Sequence, residues 1–135
     1  METNPVFEDK KGFIKNLSLL NDLNVSVRLC FDLDGTICPA TDAESFLTVE
    51  PFVGAKEVLK TLKSSGHTII IHTARDPKWK AITESWLMDK GIPYDELVMG
   101  KPFANIYIDN KGYRFTRWSD IIEQFLISNS KQGVI

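Results

Sequence analysis

Arg28-Leu29-Cys30-Phe31-Asp32-Leu33-Asp34-Gly35-Thr36 decides the reading of this chain. An apolar run with the composition of a buried parallel strand stops at two carboxylates one residue apart, then turns through Gly-Thr. In open α/β sheets ligands bind beyond the carboxyl ends of the strands. Two acids a few Å apart there repel unless a cation or a proton lies between them. The stretch therefore predicts a cation site that is also a reaction site.

The rest of the chain sets the bounds. At 135 residues it has the length of one domain, which buries roughly two thirds of its unfolded surface in a single core. A hydrophobic fraction of 43% beside 25% charged residues is that of an ordinary globular chain. The net charge of −2 supplies no basic field for a phosphate backbone, so no nucleic-acid partner is expected. The apolar runs are too short to span a bilayer, and residues 1–5 open no signal-peptide pattern; a cytoplasmic location and no membrane partner are the expectation. Cys30 and Cys38 flank the acidic pair at a spacing compatible with a disulfide, but the place of Cys30 within the strand run favours two reduced thiols.

Around the central stretch the pattern alternates. Residues 1–24 read as an N-terminal extension in which Phe13, Leu17 and Leu20 fall at helical spacing, a short helix that covers one edge of the sheet. The domain proper spans 25–128, and 129–135 is a tail. After the first strand, about 26–31, residues 37–49 form an irregular loop over the strand end, too short for a folded lid. Pro51 suits the first turn of a helix whose buried stripe is Ala55, Val58, Leu59 and Leu62, with Gly66 as its stop. The β-branched run 67–71 predicts a second strand buried on both faces. Asp76 and Pro77 then cap and open a helix to about Lys90, with Ile82, Trp86 and Leu87 inward and Gly91 closing it. Residues 96–99 and 105–108 read as a third and a fourth strand, and Ser119 as the cap of a last helix, 120–127, with Ile122, Phe125 and Leu126 as its apolar positions. Trp79 and Trp118 read as packing residues, and His72 as a core residue on the strand face opposite Thr73. The fold class is α/β, a Rossmann-like three-layer sandwich with a mainly parallel central sheet and no cap domain.

Polar residues fall at successive strand ends on one edge: Asp32 with Asp34, then Thr73, then Lys101, then Asp109 with Asn110. A single strand-end acid is usually a cap or turn residue. Two acids, a hydroxyl, an amine and another acid in that order are not explained by turns.

These residues resemble the haloacid dehalogenase-like phosphohydrolases. The first motif of that family, Asp-x-Asp-Gly-Thr after a hydrophobic strand, stands as Asp32-Leu33-Asp34-Gly35-Thr36; Thr73 is similar to its second motif, Lys101 to its third, and Asp109-Asn110 to its fourth. The resemblance covers about residues 27–118. Within the family, 99–102 and 107–111 are similar to small, capless members of the capsule-biosynthesis phosphatase type.

Phosphoryl transfer needs an in-line nucleophile and positive charge against the phosphoryl oxygens. Asp32 is the expected nucleophile, forming an aspartyl phosphate. Asp34 is the expected acid and base, protonating the leaving oxygen and then deprotonating water. This division predicts unequal environments for the two acids. Magnesium suits the site, held by Asp32, the main-chain carbonyl of Asp34, and Asp109. The resemblance implies that Thr73 and the amides beside it, including that of Ala74, bind the phosphoryl group, and that Lys101 neutralises charge. Gly35 and Thr36 support the turn, Gly35 by permitting close backbone approach. Asn110 departs from relatives that carry a second Asp there, which weakens the expected metal site while leaving activity as the expectation. Arg75 and Arg114 are either contacts for substrate anions or surface arginines. The reading is a magnesium-dependent phosphomonoester hydrolase acting on a small phosphorylated metabolite such as a phosphosugar. The alternatives are a phospho-receiver domain, whose acids are adjacent and whose Lys comes last, and a catalytically silent binding module.

Overall fold

A computed structural model of the chain describes residues 26–123. The expected N-terminal helix, the 1–24 extension, the end of the last helix and the 129–135 tail lie outside the described residues. Two compact units divide the chain: Val27–Ala104 forms one, and residues 105–123 belong to the other.

The first unit is α/β. Its strands are β1 (Arg28–Asp32), β2 (Thr68–His72) and β3 (Glu96–Val98), arranged β1-β2-β3 with both pairings parallel. The register sets Asp32 against His72 and His72 against Val98, so all three strands end on one edge. Parallel neighbours need crossovers, and helices supply them. The first crossover contains α1 (Ala55–Ser64), whose apolar residues recur at i, i+3, i+4 and i+7; Ala55, Val58, Leu59 and Leu62 are all buried, as the sequence predicts. Burying each of the two leucines contributes about 1.5–3 kcal/mol. The second crossover contains α2 (Lys80–Asp89), entered through a 3-10 turn, Pro77–Trp79. There the Asp76 carboxylate accepts from the Lys78 amide at 2.9 Å, the predicted cap.

Several expectations are corrected. Pro51 does not open α1; Gly54, with φ +95°, precedes the first helical residue, so the chain enters the helix from a left-handed conformation that proline cannot lead directly. In α2 the buried residues are Thr83, Trp86 and Leu87, while Ile82 is only half-buried. Neither β1 nor β2 is buried on both faces. Ile69 and Ile71 are buried, but Ile70 and His72 are half-buried and Cys30 is exposed. A continuous apolar run reports a strand; what covers its second face is decided by distant parts of the chain.

In the second unit the expected fourth strand, 105–108, is not formed among the described residues. Ile106 and Ile108 are exposed. The chain turns instead, with the Asp109 carboxylate accepting from the amides of Lys111 and Gly112 at 2.9 and 2.7 Å, an aspartate turn that competes with strand pairing. The last helix, α3, begins earlier than predicted (Trp118–Ile121), preceded by Arg117 and not Ser119. Its buried residues are Trp118 and Ile121, leaving Ile122 exposed; Phe115 packs edge-on against Trp118 at 5.2 Å. Among the described residues no helix is long and apolar enough to cross a membrane.

Candidate functional site

The carboxyl edge of the sheet places Asp32, Asp34, Thr73, Arg75 and Lys101 together. Asp32 is the last residue of β1. Beyond it the Leu33 carbonyl accepts from the amides of Thr36, Ile37 and Cys38, at 3.2, 2.9 and 3.3 Å, and the Gly35 amide donates to Cys38 O at 2.7 Å. Gly35 has φ +87°, and a Cβ there would meet no heavy atom within 4 Å. The left-handed backbone conformation is what requires glycine here. After β2, the Thr73 amide donates to Val98 O, and the Lys101 amide donates to Thr73 O at 2.8 Å. This bond fixes the lysine beside the β2 end although its own strand stopped at Val98.

The two acids sit in unequal environments. The Asp32 side chain is 39% exposed, with the Lys101 ammonium 3.7 Å from Oδ1, an ion pair too long for a hydrogen bond. Asp34 is anchored. Arg75 Nε donates to its Oδ2 at 3.0 Å and Nη2 to its Oδ1 at 2.8 Å, a two-pronged pair, and the Thr73 hydroxyl lies 3.3 Å from Oδ2. The Arg75 amide in turn donates to Thr73 Oγ1 at 3.1 Å.

Arg75 is not a surface arginine. Its side chain is 3% exposed. Nη1 donates to Thr83 Oγ1 at 3.0 Å, and the Phe46 ring covers the guanidinium carbon at 3.7 Å from its centre. Trp79 packs edge-on against Phe46 at 5.7 Å, the packing role expected of it. Thr83 and Phe46 are absent from the sequence reading. The signal for Thr83 was a hydroxyl on the inward face of α2; the signal for Phe46 was an aromatic residue in an otherwise polar loop. Arg114 is exposed, in the second unit.

His72 lies on the strand face opposite Thr73, as expected, but half-buried beside Asp32 and not in the core. Desolvation, joined by the Lys101 charge and opposed by Asp32, lowers its pKa from 6.5, so the imidazole is neutral at pH 7. Cys30 and Cys38 are free thiols. Burial and the neighbouring Asp34 push Cys38 up to about 12.

Asp109 and Asn110 belong to the second unit. Among the described residues no three His, Cys, Asp or Glu side chains gather as a metal cage. Magnesium asks for less, usually one or two carboxylates with water and phosphate oxygens. Asp32 offers a hard, partly exposed carboxylate. Asp34, whose carboxylate accepts three hydrogen bonds from Arg75 and Thr73, can contribute its main-chain carbonyl. This donor set fits magnesium.

No family model and no curated protein matches the chain. Solved structures do. A crystal structure of a structural-genomics target from Vibrio cholerae is 27% identical, with a TM-score of 0.57, over 73% of this chain and 96% of that one. A chain of the Pnkp1/Rnl/Hen1 complex is 21% identical, with a TM-score of 0.51, over 92% of this chain and 39% of that one. The second likeness concerns the fold alone.

Proposed function

We propose that this chain is a magnesium-dependent phosphomonoester hydrolase of the haloacid dehalogenase-like type that works through an aspartyl phosphate on Asp32. The observation that carries the reading is the difference between the two acids at the β1 end: Asp32 is 39% exposed with the Lys101 ammonium 3.7 Å away, whereas Asp34 is held by three donors. A nucleophile needs a free oxygen and room for in-line approach, whereas an acid-base group needs a fixed direction.

In the first step an Asp32 oxygen attacks phosphorus, the bond to the leaving oxygen breaks, and Asp34 delivers its proton to that oxygen. In the second, water attacks the same phosphorus, Asp34 takes the water proton, and the acyl phosphate bond breaks to release phosphate and restore Asp32. Lys101 lies where it lowers the repulsion between the Asp32 carboxylate and an incoming phosphate dianion. Asp32 and the Asp34 carbonyl would hold magnesium. The ion, when bound, supplies charge neutralisation at the phosphoryl oxygens.

The proposal extends to a Rossmann-like three-layer sandwich without a cap domain, a small phosphorylated metabolite such as a phosphosugar as substrate, and a cytoplasmic setting, which suits two free thiols. The test is turnover of p-nitrophenyl phosphate and of a panel of phosphorylated metabolites, sugars first, with magnesium and with a chelator. Multiple turnovers that stop on chelation are expected. A single phosphorylation per chain would indicate a receiver, and no reaction with any substrate a silent module; either overturns the reading.

A further inference from the structure

We propose that Arg75 is a positioning residue for Asp34, held for that purpose by Thr83 and Phe46, and is not a ligand of the substrate phosphate. This rests on the phosphatase reading above and adds a role for residues which that reading leaves without one.

The geometry of the guanidinium carries the argument. A buried cation is costly unless paired and hydrogen-bonded. Here each nitrogen has a protein partner: Nε and Nη2 take the two oxygens of Asp34, and Nη1 takes Thr83 Oγ1. Thr83 cannot swing away, because its own hydroxyl donates to Trp79 O at 2.7 Å. The Phe46 ring closes one face of the guanidinium plane. An arginine so enclosed presents no open fork to a phosphate.

Its effect falls on Asp34. An ionised carboxylate has about four acceptor positions. Oδ2 accepts from Arg75 Nε and Thr73 Oγ1, and Oδ1 accepts from Arg75 Nη2. One position on Oδ1 is left. The three incoming bonds fix both oxygens in one plane, so the direction of that remaining position is set by Arg75 and Thr73. The Asp34 side chain is 26% exposed, so the clamp does not bury it as it buries Arg75. Lysine cannot reproduce the arrangement, since one ammonium does not span both oxygens in a plane.

The test compares kcat/KM for p-nitrophenyl phosphate, whose leaving group departs unprotonated, with that for glycerol 2-phosphate, whose alkoxide must be protonated. In Arg75→Gln and Arg75→Lys the alkyl ester is expected to lose roughly 10²-fold and the aryl ester less than about tenfold, in the range of general-acid effects. The aryl ester should also show a burst of p-nitrophenolate equal to the enzyme, because water attack then lacks its placed base. Inhibition by inorganic phosphate should be unchanged. Asp34→Asn should share the pattern, and the double variant should lose no more. Thr83→Val, a milder change, gives the same signature at smaller amplitude and serves if the Arg75 variants do not fold. Equal losses on both esters, or weakened phosphate inhibition, would overturn the proposal while leaving the phosphatase reading intact. Absence of wild-type turnover on every ester would overturn that reading and the catalytic role together. The clamp is then judged by unfolding midpoints: additive drops for Asp34→Asn and Arg75→Gln refute it.

Discussion

The indole Nε1 of Trp86 donates to the main-chain carbonyl of Val49 at 2.7 Å, tying the buried face of α2 to the loop that follows β1. That loop carries Phe46, so the bond fixes both a core side chain and the approach to Arg75. Trp86→Phe keeps most of the packing and strands a carbonyl; a loss of about 1–3 kcal/mol is expected from the unpaired group. Trp86→Ala, which also opens a cavity, should cost about 3–5 kcal/mol. Urea unfolding separates the two, and a Phe variant as stable as the parent would show that water replaces the bond.

The two thiols should differ sharply in reactivity. Cys38 is fully buried beside Asp34 and has its pKa raised to about 12; at pH 8 it holds about one thiolate in ten thousand molecules. Cys30 is exposed; its pKa is also raised, chiefly by desolvation, with Lys101 opposing. Iodoacetamide at pH 8 should modify Cys30 alone in the folded protein and both residues in urea, a difference of one adduct by mass spectrometry. Comparable labelling of Cys38 in the folded state would contradict its burial.

What was legible in the sequence follows from which interactions are local. The stripe of α1, the Asp76-Pro77 entry to α2 and the strand ending at Asp32 depend on neighbours three or four residues away, and all appear as read. The path 105–108 depends on whether an Ile-Tyr-Ile run finds a strand partner or yields to the aspartate turn after it, which period-two reading cannot decide. At the site, the acids, Thr73 and Lys101 announced themselves through strand-end positions. Arg75, Thr83 and Phe46 meet from a strand end, a helix and a loop, and no spacing in the sequence brings them together.

His67 should make the fold sensitive to mild acid. It is buried, and its Nδ1 accepts from the Val27 amide at 3.2 Å, a role open only to the unprotonated nitrogen. Desolvation lowers its folded pKa below 6.5. Between those two values the unfolded chain binds the proton and the folded chain does not, so stability falls as pH drops below 6.5 and levels off once the folded pKa is passed. His72 is shifted in the same direction and adds to the slope. In His67→Asn the amide oxygen can take the place of Nδ1 without titrating. Unfolding midpoints from pH 7.5 to 5 should decline in the parent and decline less in this variant. Identical slopes would remove His67 from the account.

Asp32 and Lys101 are separable by what each would lose. Asp32→Asn removes the nucleophilic oxygen and its charge together, so hydrolysis should vanish by several orders of magnitude while circular dichroism stays native, because the side chain sits at a partly exposed strand end with an ammonium 3.7 Å away, too far for a hydrogen bond. Lys101→Met leaves the nucleophile in place and removes the cation between it and the incoming dianion. A fall in kcat of about 10²–10³-fold is expected, the range for losing one group that stabilises transition-state charge. Hydrolysis retained in Asp32→Asn would move the nucleophile elsewhere. A Lys101→Met enzyme with unchanged kcat and raised KM would mean that the ammonium only attracts substrate, because charge that acted equally on ground and transition states would leave kcat alone.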